Sequence, residues 1–83
     1  MTQYIVQITL LAENLTYDFR VPDAMQVGVL AKLSGQAFAI LTENHYTPSA
    51  QPLLYDQTSR ELLDCNAIIH QTSVRNGSNL LLY

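Results

Sequence analysis

The sequence is poor in the residues that most often carry chemistry. It has no tryptophan, a single cysteine (Cys65), three glycines and three prolines. One cysteine excludes an intrachain disulfide, so a domain this small has to hold itself together with an apolar core, as proteins of reducing compartments do. Cations are also scarce. Lys32, Arg20, Arg60 and Arg75 are spread along the chain, and the formal net charge is −3. A phosphate backbone is bound by a concentrated basic surface, so nucleic acid is excluded as an expected partner, and an anionic membrane surface is disfavoured for the same reason. No run approaches the roughly 20 apolar residues needed to cross a bilayer, so direct membrane insertion is not expected. The stretch from Met1 to Ala12 is apolar but lacks the basic flank of a secretory signal, since the first cationic side chain is Arg20. The expectation from these absences is a complete chain that resides in the cytoplasm.

What is present suffices for one folded unit. A length of 83 residues leaves no room for a second core, so residues 1–83 are expected to form a single domain. An apolar fraction of 48% is ample for folding. Near the N-terminus Tyr4, Val6, Ile8 and Leu10 alternate with polar residues, with Ile5 as the exception. After a turn at Glu13-Asn14, Leu15, Tyr17, Phe19 and Val21 alternate again. Two such runs joined by a short polar connection predict an antiparallel hairpin with one buried face.

The period then changes. Pro22 ends the second strand, and Asp23 with Gln26 three residues on fits a capping box. Val27, Leu30, Ala31, Ser34, Ala37, Phe38 and Leu41 line one helical stripe that ends by Asn44. Gly28 and Gly35 each weaken that helix by about 1 kcal/mol relative to alanine, so it depends on tertiary packing. Residues 45–52 read as a loop. Pro52 to Tyr55 and Glu61 to Leu63 read as short strands about a polar turn, and Asp64 or Asn66 is placed to cap a single helical turn through Ile68 and Ile69. Asn76-Gly77 marks a turn before a last strand, Asn79 to Tyr83. A two-stranded hairpin cannot support a helix alone, so the later strands are expected to complete one mixed sheet beneath it, an α+β arrangement.

The run Leu53-Leu54-Tyr55-Asp56, a polar turn, Arg60-Glu61-Leu62, Ala67-Ile68-Ile69 and Val74 through Leu82 resembles the C-terminal half of ubiquitin-like domains. The N-terminal hairpin and the 27–41 helix match the remainder. The resemblance implies a β-grasp fold, a mixed four- to five-stranded sheet packed against one central helix. It also implies a departure from the conjugating and sulfur-carrying members. Those use a slim diglycine tail, whereas this sequence stops at Leu80-Leu81-Leu82-Tyr83 and has one lysine. Length, tail and cadence are similar to the YukD/EsaB group of type VII secretion systems, small non-conjugating accessory proteins. Ubiquitin-like cytosolic domains fused to a membrane component of those machines belong to the same group. That similarity implies a non-catalytic module whose partner is a protein, such as the cytosolic region of a secretion-machinery membrane component. The alternative with the same fold is a structural subunit of a multicomponent enzyme such as an oxygenase.

Ubiquitin-like domains bind partners through the outer face of the sheet. If Leu80 and Leu82 point inward, alternation turns Leu81 and Tyr83 outward. By resemblance Leu54 lies on that face too, so Leu54, Leu81 and Tyr83 are the expected protein-binding residues. The competing reading is that they are scattered surface apolars, or are covered by Ile5 and the 45–51 loop. Asp56, Glu61 and Asp64 form either an acidic rim or an ordinary solvated turn. No cofactor is needed to explain the core positions assigned to Tyr17, Phe19, Phe38, Leu62, Ile68 and Val74. A nucleophilic role for Cys65 would need a base and a cleft, with His70 five residues away as the nearest candidate. The histidines, His45 and His70, show no metal-site spacing, so neither catalytic nor metal-binding residues are expected. Self-association is left open by an uncovered edge strand and an apolar face.

Overall fold

The computed structural model describes residues 2–43, 46–48 and 51–83. The expected hairpin is formed by β1 (Gln3–Leu10) and β2 (Leu15–Pro22). Their register pairs Tyr4 with Val21, Val6 with Phe19, Ile8 with Tyr17 and Leu10 with Leu15. Directly opposed residues of an antiparallel ladder share a face, so these apolar residues all lie on one side of the sheet. Asn14 closes the turn in the left-handed region (φ 52°), which asparagine tolerates better than most residues.

Helix α1 spans Val27–Leu41. Its start differs from the expected capping box. Gln26 holds the cap position in an extended conformation, and no side chain caps the helix. Asp23 lies upstream, where its carbonyl accepts the His70 N–H at 3.0 Å. The leading amides of α1 are satisfied instead by backbone carbonyls from a distant segment: Val27 N–H donates to Ala67 O and Gly28 N–H to Cys65 O, both at 2.9 Å. After a turn at residues 23–25, Gln26 is extended and pairs with Ile68 as an isolated bridge, so the helix begins only at Val27. Gly28 permits the approach, because a Cβ there would sit 3.0 Å from the Cys65 carbonyl oxygen.

The buried helical stripe is Val27, Leu30, Ala31, Ser34, Gly35 and Phe38. Ser34 stays satisfied by donating its hydroxyl to Leu30 O at 2.8 Å. Leu41, expected on the stripe, is half-exposed. The helix ends at Leu41, where the Thr42 hydroxyl donates to Phe38 O at 2.8 Å. Asn44 lies outside the described residues.

Strands β3 (Leu54–Asp56), β4 (Glu61–Leu62) and β5 (Asn79–Leu82) complete a five-stranded sheet in the order β2-β1-β5-β3-β4. The sheet is mixed: β5 runs parallel to β1 and antiparallel to β3. A 3₁₀ turn at Ile69–Gln71 precedes β5. The Asn76-Gly77 turn forms as expected, with Gly77 at φ 90°, and locks onto the start of β1. Asn76 Oδ1 accepts the Ile5 N–H and Gly77 N–H donates to Ile5 O, each at 2.8 Å.

Val6, Ile8, Leu10, Leu80 and Leu82 of the sheet meet Phe38 of the helix in a core from which water is excluded. Phe38 also takes the rings of Tyr17 and Phe19, at centroid distances of 5.9 and 5.6 Å. Val74 is buried as expected, but the assignment of Leu62 to the core fails. Leu62 is 58% exposed, and its neighbour Leu63 is buried instead. Tyr17 is 41% exposed despite its ring contact, because β2 is an edge strand. The architecture is the β-grasp expected: one mixed sheet curled about one helix. Among the described residues no helix is long and apolar enough to cross a membrane.

Candidate protein-docking surface

The sheet has two faces, and strand pairing decides which residues occupy each. On β5, Leu80 and Leu82 are fully buried against the helix and Leu81 faces away. Leu54 pairs with Leu82, so it shares the core face and is 1% exposed. The expectation that Leu54 joins the outer face is therefore corrected. The error is a shift of one residue in phase, and in a strand of period two that reverses the side completely.

The residue that takes its place is Tyr55. It pairs with Leu81 on one side and with Leu62 on the other. Tyr55, Leu62 and Leu81 thus lie side by side on three adjacent strands, on the face turned from the helix. Tyr83, just beyond β5, is 47% exposed. Its N–H donates to Leu53 O at 3.0 Å, which prolongs the ladder and, by alternation, puts its ring on the same side as Leu81. The structure thus places two of the three expected residues, Leu81 and Tyr83, on one face and adds Tyr55 and Leu62, which the sequence reading missed. No signal in the sequence marked Tyr55, because in Leu53-Leu54-Tyr55 the apolar residues are consecutive and show no alternation.

Apart from Ile5 and Pro22, the rest of this face is polar. Thr9 pairs with Leu81, and its hydroxyl lies 2.7 Å from that of Thr16. Ile5, considered as a cover for the patch, pairs with Arg20 on the far half of the sheet and is itself 47% exposed. His45, at the start of the loop considered as the other cover, is outside the described residues.

The carboxylates separate into different roles. Asp56 is fully buried: Oδ1 accepts the Thr58 N–H at 2.9 Å and Oδ2 the Ser73 hydroxyl at 2.7 Å. It organises the turn between β3 and β4 and is unavailable to a partner. Glu61 is exposed. Asp64 is also exposed and folds back on the Asn66 N–H at 2.9 Å.

Cys65 is an exposed free thiol. It lines an open cleft of about 490 Å³ together with Gln26, Gly28, Val29, Lys32 and Asn66. His70 is held through its backbone to Asp23, and it does not line that cleft. Among the described residues no three His, Cys, Asp or Glu side chains converge.

The sequence matches no protein-family model, and no curated protein is similar to it in sequence. Its structure, however, is similar to solved ubiquitin-like domains. The ubiquitin-like domain of the type VII secretion protein EccD1 from Mycobacterium tuberculosis superimposes with a TM-score of 0.73 at 19% identity, covering 99% of this chain and 98% of that one. A chain of a toluene 4-monooxygenase complex with the inhibitor 4-bromobenzoate matches at TM-score 0.78 and 11% identity, covering 98% and 96%. A chain of the ESX-5 inner membrane complex matches at 0.76 and 13% identity, where the present chain spans 21% of its length. Likenesses of this kind establish the ubiquitin-like β-grasp fold.

Proposed function

We propose that this chain is a non-catalytic interaction module that docks its outer sheet face onto another protein, as a cytoplasmic accessory or regulatory component of a bacterial type VII-like secretion system. The observation that carries the reading is the alignment of Tyr55, Leu62 and Leu81 on adjacent strands, with no charged side chain paired among them. Such a patch has a use in recognition. A tyrosine ring offers contact area at low entropic cost, and flanking leucines exclude water around it. The partner that fits is an apolar surface on the cytosolic region of a secretion membrane component. Support for that setting comes from the likeness to the EccD1 domain and to part of a chain in the ESX-5 inner membrane complex.

A second reading, a structural subunit of an oxygenase, is favoured by the near-complete mutual coverage with the toluene 4-monooxygenase chain. Affinity capture from the native cell extract separates the two, with secretion components on one side and oxygenase subunits on the other. The same capture with Leu62→Asp and Leu81→Asp tests the surface. Each variant is expected to keep its circular dichroism spectrum and to lose at least about 30-fold in affinity for the captured partner, the scale of a central contact residue. Leu54→Asp is expected to unfold the domain, since it buries a charge without a partner. Unchanged affinity in both outer-face variants would refute the docking surface.

A further inference from the structure

At the other end of the sheet from the apolar patch, β2 is an edge strand paired on one side only. The pairing of β1 fixes which of its backbone groups are free. On β1, Gln7 N–H donates to Ser78 O and Leu11 N–H to Leu82 O, so the odd-numbered residues point their amides toward β5. The even-numbered residues Val6, Ile8 and Leu10 therefore bond to β2, through Phe19, Tyr17 and Leu15. By the same alternation Thr16, Asp18 and Arg20 turn their N–H and C=O groups outward. They also carry their side chains on the outer sheet face, where Asp18 and Arg20 are exposed and find no partner among the described residues.

We infer that β2 pairs antiparallel with β2 of a second copy of this chain, about a two-fold axis through Phe19. The register follows from two requirements. Residues exchanging backbone hydrogen bonds must both have outward-facing amides, so Thr16, Asp18 and Arg20 must face one another or Pro22. Opposed side chains must also be compatible. An axis at Asp18 sets carboxylate against carboxylate, and one at Arg20 sets guanidinium against guanidinium. An axis at Tyr17 leaves Asp18 opposite Thr16 and Arg20 opposite Asn14. The axis at Phe19 alone sets Asp18 of each copy opposite Arg20 of the other. Those pairs are the hydrogen-bonded ones, so each exchanges both N–H···O bonds and adds a charge pair, twice over by symmetry.

On the helix-bearing side of the sheet the same register sets Phe19 against Phe19 and Tyr17 against Val21. It covers ring surface that an isolated copy leaves to solvent, including the 41% exposure of Tyr17. Because the axis is perpendicular to the sheet, the two sheets become one, with both helices on one side and both Tyr55–Leu62–Leu81 patches on the other. The patches lie on the other half of each sheet, on β5, β3 and β4, so pairing through β2 leaves them uncovered.

Charge reversal tests the register directly. Asp18→Arg places arginine opposite arginine twice, and Arg20→Asp places aspartate opposite aspartate twice. Sedimentation equilibrium from about 1 μM to 1 mM protein is expected to show reversible dimers of the unaltered chain and at least about tenfold weaker self-association of each variant. Each variant should retain its native circular dichroism, since neither side chain has a partner within the described residues. Mixed in equal amounts, D18R and R20D are expected to associate with each other, because this register restores both opposite-charge pairs; the double variant D18R/R20D is expected to regain the dimer. The inference is overturned by an unaltered chain that stays monomeric throughout that range, by single variants that dimerise like it, or by a mixture that fails to associate.

Discussion

Two glycines of the same helix answer to different demands. At Gly28 the amide donates to Cys65 O at 2.9 Å, and a Cβ would press on that same oxygen at 3.0 Å. At Gly35 the nearest neighbour to an added Cβ is the Pro48 side chain at 3.6 Å, an ordinary contact. Alanine gains about 1 kcal/mol over glycine in a helix interior. At Gly35 that gain should appear nearly whole, raising stability by about 0.5–1 kcal/mol in urea unfolding. At Gly28 the clash is with backbone that itself caps the helix, and overpacking of this kind costs about 1–3 kcal/mol. Gly28→Ala should therefore lower stability by about 1 kcal/mol. Both glycines are plain in the sequence as helix weaknesses. Which of them is required is invisible there, because the oxygen that forbids a side chain belongs to residue 65.

Among the elements, the connection between β3 and β4 depends most on a single side chain. The strands are only three and two residues long, and Arg60 enters β4 from a left-handed conformation at φ 60°. Asp56 compensates from inside by accepting the Thr58 amide and the Ser73 hydroxyl, so one carboxylate ties the turn to the segment before β5. Asp56→Ala leaves both donors without that acceptor and is expected to cost about 1–3 kcal/mol of stability, measurable by urea denaturation. The loss should also loosen Leu62 against Tyr55 and weaken the docking face. Reading the sequence, Asp56 looks like one more carboxylate of a solvated turn. Its pairing with Leu80, a core residue, is what turns it inward. The same register assigns Leu54 to the core and Tyr55 to the surface. In Leu53-Leu54-Tyr55 the apolar residues are consecutive, and consecutive apolars carry no phase.

On the scale of the whole molecule, the helix is a product of its surroundings. It has no side-chain cap, no acidic residue in its first turn and no basic residue in its last. Its first amides are answered by residues 65 and 67, which the sheet and the 3₁₀ turn carry into place. A peptide of residues 24–43 is accordingly expected to show little helical circular dichroism in water, whereas the intact chain shows the full helix. Substantial helicity in the peptide would mean that local preference, not the fold, forms this element. The same long-range organisation gives the sheet two unlike ends: an apolar face on β5, β3 and β4, and a self-complementary edge on β2. A dimer formed through the edge would present two docking faces in one plane.

The sequence by itself determined the hairpin, the helix and the turn at Asn76-Gly77, while the β-grasp fold was what its resemblance to ubiquitin-like domains implied. Those signals are periodic or local, and period and turn chemistry survive without knowledge of neighbours. The tertiary structure alone decided where the helix is capped, which of two adjacent residues faces a partner and what Asp56 does. Each of these depends on a contact between segments far apart in the chain: Gly28 with Cys65, Leu54 with Leu82, Asp56 with Ser73. A strand too short to show its own alternation takes its phase from the strand beside it.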